Sequence, residues 1–68
     1  MNAKELFEAL GWEQFDANRY TKDIAVSYRK SGLRIYFYRA YGFRSGVRPF
    51  ADLWNAIIQQ MKELGWIE

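Results

Sequence analysis

Ile24-Ala25-Val26-Ser27-Tyr28-Arg29-Lys30-Ser31-Gly32-Leu33-Arg34-Ile35-Tyr36-Phe37-Tyr38-Arg39 is the stretch that decides the fold. Apolar and polar residues alternate on both sides of Ser31-Gly32, the pattern of two half-buried strands joined by a tight turn. The core-side residues of the first run (Ile24, Val26, Tyr28) are even-numbered, and those of the second (Leu33, Ile35, Phe37) are odd. Only pairs whose numbers sum to an odd value keep both sets on one face. A two-residue turn at 31–32 meets this condition and pairs Tyr28 with Ile35, Val26 with Phe37 and Ile24 with Arg39. The opposite face then carries Ala25, Ser27, Arg29, Arg34, Tyr36 and Tyr38.

Outward from the hairpin the pattern becomes helical. Ala3, Leu6, Phe7 and Leu10 recur at helical spacing over residues 3–10, with Asn2 and Glu5 placed as a capping box. Gly11 suits a left-handed stop, and Trp12 beyond it can fold back on Phe7. Residues 49–64 carry Phe50, Leu53, Trp54, Ile57, Ile58, Met61 and Leu64 on one stripe, with Asn55, Gln59, Gln60, Lys62 and Glu63 opposite. Pro49 suits the first turn of that helix. Trp54, Ile57, Ile58 and Met61 are expected to pack on Val26, Ile35 and Phe37. Leu64-Gly65-Trp66 repeats the stop signal of Leu10-Gly11-Trp12. Residues 12–22 predict a short strand near Trp12–Phe15 and a turn at Asp16-Ala17-Asn18. Tyr41, Phe43 and Val47 suggest a further strand or turn broken by Gly42 and Gly46. The expected architecture is α+β, a single small domain over residues 1–68. An N-terminal helix precedes an antiparallel sheet of two to four strands with a 24–30/33–39 hairpin. A C-terminal helix packs on one face of the sheet.

Composition narrows the function. With 68 residues, 13 of them aromatic, the chain is too apolar for a disordered tail and short for a large core. It has no cysteine and no histidine, which removes disulfides, thiolate zinc sites and every Ser-His or Cys-His dyad. The carboxylates form no acid/base pair, and Ser27, Ser31 and Ser45 have no base to activate them, so no enzyme, metal or cofactor is expected. The start lacks the basic flank and apolar run of a secretory signal, and no apolar run approaches the ~20 residues of a membrane span.

Charge is segregated although the net charge is only +2. Residues 19–48 hold eight basic residues, six of them Arg, against Asp23 alone, a net +7. The remainder is net −5. Arg forks bind carboxylates and phosphates bidentately and stack on rings. The candidate partner-binding residues are therefore Arg29, Arg34, Tyr36 and Tyr38 on the hairpin's outer face, with Arg44 and Arg48 nearby. Arg39-Ala40-Tyr41-Gly42-Phe43 opens like the core signature of RNA-recognition motifs, but Arg44-Ser45-Gly46 breaks the match.

The opening Ala3-Lys4-Glu5-Leu6-Phe7-Glu8-Ala9-Leu10-Gly11-Trp12 and the close Ala56-Ile57-Ile58-Gln59-Gln60-Met61-Lys62-Glu63-Leu64-Gly65-Trp66 resemble small uncharacterised phage and prophage proteins of Gram-positive bacteria. Those proteins also run through an aromatic hairpin and end in a helix with a Glu-Leu-Gly-Trp stop. The resemblance carries over no functional residue. It implies a cytoplasmic accessory protein, made in the bacterial host cell during infection or lysogeny. Such proteins often bind and inhibit a host protein, CRISPR nucleases among them, so an anti-CRISPR-like inhibitor of host defence is the leading expectation. The Arg-rich centre departs from the more acidic look of that group and keeps nucleic acid open as a partner. A structural or oligomeric phage component, including a homodimer, is the third reading.

Overall fold

A computed structural model describes residues 1–19 and 22–67; the predicted 12–22 segment therefore includes two residues, 20 and 21, outside the described set. The order is α1 (Ala3–Ala9), β1 (Glu13–Phe15), β2 (Ile24–Lys30), β3 (Leu33–Tyr38), β4 (Gly42–Ser45) and α2 (Ala51–Glu63). The strands form one antiparallel meander in the order β1-β2-β3-β4. This is the expected α+β arrangement with four strands. The predicted break at Gly42 is instead the start of β4, with Gly42 itself at φ +91.

The hairpin turn has positive φ at both central residues, Ser31 (+48) and Gly32 (+84), as a type I′ turn requires. It sets the pairs Tyr28↔Ile35 and Val26↔Phe37 as parity demands. Ile24 departs from the expectation: it pairs with Tyr38, not Arg39, because the register shifts between Ile24 and Val26. Ala25 is the extra residue, and a bulge of this kind moves everything beyond it to the other face. Ile24 is therefore buried with Ala17 on the outer side, apart from the main core.

The main core lies between the inner sheet face and both helices. Phe7 stacks on Tyr28 at 3.8 Å and 17°, and Phe37 meets both rings edge-on at 6.3 Å. Leu53, Ala56 and Ile57 close it from α2. Rings of this size bury large areas, and edge-to-face pairs add about 0.5–1.5 kcal/mol each.

Both helices end as the sequence indicates. At α1 the Trp12 N–H donates to the Phe7 carbonyl at 2.9 Å and the Gly11 N–H to Glu8 at 3.0 Å. At α2 the Trp66 N–H donates to Met61 at 2.9 Å and the Gly65 N–H to Lys62 at 3.0 Å. These are two Schellman stops, each with glycine at positive φ, +88 and +79. The Asn2/Glu5 capping box is complete. The Glu63 carboxylate reaches across from α2 to accept the Ala3 N–H at 2.7 Å, placing an anion at the positive end of α1.

The second helix differs from expectation in phase and start. Its first turn closes from the Trp54 N–H to the Phe50 carbonyl at 2.8 Å, so Phe50 is the cap and Pro49 lies outside the helix. Phe50 is 59 % exposed, Trp54 40 % and Ile58 39 %, whereas Gln60 is only 7 % exposed. The apolar stripe is wider than the sheet can cover. Glu63 is held against the start of α1, and Ala56, seven residues earlier and so on the same side of the helix, is fully buried, which leaves the Phe50/Trp54/Ile58 edge outward. Trp54 keeps an edge-on contact with Phe43 at 5.6 Å. Gln60 is drawn inward because its amide oxygen accepts the Tyr28 hydroxyl proton at 2.5 Å. Among the described residues no buried side-chain polar atom lacks a partner.

Candidate binding face

Alternation along the strands and the pairing register together fix what the outer face presents. Glu13 and Phe15 of β1 lie beside Arg29 and Ser27 of β2. Arg29 and Ser27 lie beside Arg34 and Tyr36 of β3, and Tyr36 and Tyr38 lie beside Arg44 and Gly42 of β4. Five of the six predicted residues, Arg29, Arg34, Tyr36, Tyr38 and Arg44, therefore share one face. Arg48 is exposed in the 46–50 connection beyond β4, and the sheet register does not bring it to this face.

Phe15 organises the face, and its role was not evident from the sequence. The Arg29 guanidinium carbon lies 5.1 Å from its ring centroid and that of Arg34 5.5 Å, both within cation–π range. Tyr36 meets the same ring edge-on at 6.2 Å. A three-residue strand is too short for its alternation to be read, so only the pairing Phe15↔Ser27 reveals where this ring goes. Ser27 is buried beneath it and donates its hydroxyl to the Phe15 carbonyl at 2.6 Å.

The rings continue across the sheet from Tyr36 to Tyr38 at 5.8 Å and from Tyr38 to Tyr41 at 6.3 Å, with Tyr41 81 % exposed. A binding role for the outer face calls for Arg34, Tyr36 and Tyr38 to be substantially exposed; all three are half-buried. They shield one another and pack against Phe15, forming a close-set platform. Ile35 and Phe37, their immediate neighbours, are fully buried as alternation requires.

Beside Phe15 an open groove of about 460 Å³ is lined by Asp16, Arg19, Arg29, Arg34 and Tyr36. Its size is within the range of ligand-binding clefts. Glu13 pairs with Arg29 at 2.8 Å, an exposed contact of small energetic value. Asp16 accepts the Asn18 N–H at 2.9 Å, which shapes the predicted turn. Besides the Phe15 ring, the Arg34 guanidinium meets the Leu33 carbonyl at 3.4 Å, and it has no carboxylate partner among the described residues.

A second surface also differs from the sequence reading: the Phe50/Trp54/Ile58 edge of α2, which periodicity assigns to the core. Among the described residues no cluster of three or more potential metal ligands occurs, and no helix is long and apolar enough to cross a membrane. Comparison of the chain with protein-family models, with curated proteins and with solved structures returns no match.

Proposed function

We propose that this chain is a non-enzymatic binding protein whose outer sheet face engages an acidic surface of a host protein in the bacterial cytoplasm. In the phage-type setting that the two ends of the sequence suggest, that engagement blocks the host factor, with a defence nuclease or another nucleic-acid-handling protein as the target class. The observation that carries this reading is the convergence of Arg29, Arg34 and Arg44 with Phe15, Tyr36 and Tyr38 on one sheet face. Tyr and Arg are the residues in which interface energy concentrates. Here they are held in place before any partner arrives, which lowers the entropic cost of binding.

Ring geometry favours protein over nucleic acid. Successive bases stack on broad ring faces. The rings here are tilted against one another by 65°, 50° and 67° along the series Phe15–Tyr36–Tyr38–Tyr41. Phe15, moreover, already carries two guanidinium groups. Such a surface offers ring edges and forks, which suit carboxylates and the uneven relief of a protein.

The test is affinity capture of host proteins with the wild type and with Arg34→Glu/Tyr36→Ala, alongside a circular dichroism melt of each. The double variant is expected to stay folded and to lose its partner. Retained capture by a folded double variant contradicts the site. Titration of single- and double-stranded DNA and RNA at two salt levels covers the other macromolecule. Tight binding that falls linearly on a log–log salt plot replaces the protein reading with a nucleic-acid one.

A further inference from the structure

Arg29 and Arg34 are direct cross-strand partners on β2 and β3, and both lean over the Phe15 ring. Like charges placed directly opposite each other on a sheet are destabilising. One half of the pair is already satisfied: the Glu13 carboxylate sits on the Arg29 guanidinium at 2.8 Å while remaining largely exposed. The other half is open: besides the Phe15 ring, Arg34 meets the adjacent Leu33 carbonyl at 3.4 Å and no carboxylate among the described residues. Arg19 lines the same groove from the 16–19 segment. We infer that the Arg29–Arg34 pair is a carboxylate clamp that seats an acidic segment of the partner protein, with Arg34 as its anchor and Glu13 as a displaceable stand-in. This inference rests on the outer-face reading above and names the chemistry that the face selects.

Charge complementarity singles out the occupant. A carboxylate can accept two parallel N–H donors in one plane, and a guanidinium laid on an aromatic ring presents such a fork already oriented. Glu13 shows within the molecule itself that a side-chain carboxylate can sit on the Arg29 half of the pair. The Asp16 carboxylate, which lines the groove, disfavours a continuous phosphodiester chain, every linkage of which is charged. A peptide with spaced acidic residues can place one carboxylate on Arg34 and keep neutral backbone beside Asp16.

The probes are a short Asp/Glu-rich peptide, its Asn/Gln counterpart and an oligothymidylate of matched charge. Binding is followed by NMR through the arginine side-chain Nε–Hε signals of isotope-labelled protein at low salt. The acidic peptide is expected to shift Arg34 and Arg29, the neutral peptide to shift neither, and the oligothymidylate to bind more weakly. Arg34→Lys keeps the charge and loses the fork, so its affinity for the acidic peptide falls roughly tenfold with the melt unchanged. Glu13→Gln removes the internal competitor and tightens binding by roughly two- to fivefold, the range of an exposed ion pair. Failure of the acidic peptide to bind overturns the clamp, as does Arg34→Lys at wild-type affinity, Glu13→Gln that weakens binding, or preference for the oligothymidylate. Peptide shifts confined to Arg44 overturn the clamp but leave the face standing. Retained partner capture by the folded Arg34→Glu/Tyr36→Ala variant removes the face itself.

Discussion

Gln60→Leu tests the polar bond inside the core. Tyr28 is fully buried, its ring is stacked on Phe7, and its hydroxyl donates to the Gln60 amide oxygen at 2.5 Å. The Gln14 amide donates to the same hydroxyl, but at 3.4 Å. Replacing Gln60 with leucine preserves helix propensity and strands a buried hydroxyl with one long contact. Leaving such a group unsatisfied costs about 1–3 kcal/mol. In a domain of this size that lowers the melting temperature by roughly 4–8 °C per kcal/mol. Tyr28→Phe strands the Gln60 oxygen and costs a similar amount. Tyr28→Phe/Gln60→Leu removes both polar ends, so its cost is expected to fall about 1–2 kcal/mol below the sum of the singles. A pH series adds an independent check. Burial pushes the Tyr28 phenol from 10.0 up to about 12, the Gln14 hydrogen bond opposes this, and Glu63 and Glu8 add to it. The folded chain therefore holds this proton more tightly than the unfolded chain does. The resulting stabilisation is full below pH 10 and is lost as pH rises through about 12, on the order of 2–3 kcal/mol in all. Tyr28→Phe lacks that component and loses less stability across the same window. Thermal melts by circular dichroism at neutral pH and between pH 10 and 12 read both effects. Additive single costs, or identical alkaline losses in wild type and Tyr28→Phe, refute the buried bond.

Other perturbations separate core from surface. Phe37→Ala opens a cavity among Phe7, Tyr28, Phe43 and Trp66 and costs about 3–5 kcal/mol, enough to unfold most of the chain at 37 °C by far-ultraviolet dichroism. Ile58→Lys, by contrast, shifts stability by about 0.5 kcal/mol or less in a urea melt, because the side chain stands 39 % exposed. Gly11→Ala and Gly65→Ala both force a side chain into positive φ and each lose about 1–2 kcal/mol. Gly11→Ala loses more, since its new Cβ stands 3.2 Å from Lys30 Cε and disturbs the Lys30 ammonium that donates to the Leu10 carbonyl at 2.8 Å.

The hairpin, both helix stops and most of the outer face were legible because each rests on local chemistry. Two-residue alternation and a turn that needs positive φ fix Tyr28 opposite Ile35 without reference to the rest of the chain. The bulge was not legible. Ala25 is small enough for either face, and only closure of the sheet around Asp23 and Arg39 calls for the extra residue. The phase of α2 was ambiguous because Phe50, Trp54 and Ile58 extend the apolar arc beyond what one sheet face can bury. Which edge faces inward is decided by α1 and by the Tyr28 hydroxyl. Gln60 reads as a surface residue until that hydroxyl is placed 32 positions away. Phe15 was missed for a related reason: its contacts with Arg29 and Arg34 arise from pairing across strands, and spacing along the chain does not encode them.

The central claim, that the partner docks on the Arg/Tyr sheet face, is tested most directly by site-specific photo-crosslinking in host cells. A photoreactive phenylalanine analogue replaces Tyr41, at the exposed margin of the face, or Ile58, on the exposed edge of α2. The account predicts a discrete protein adduct from position 41 that disappears when Arg34→Glu is added, and no discrete adduct from position 58. A discrete adduct from position 58 alone, insensitive to Arg34→Glu, contradicts it and moves the functional surface to the second helix.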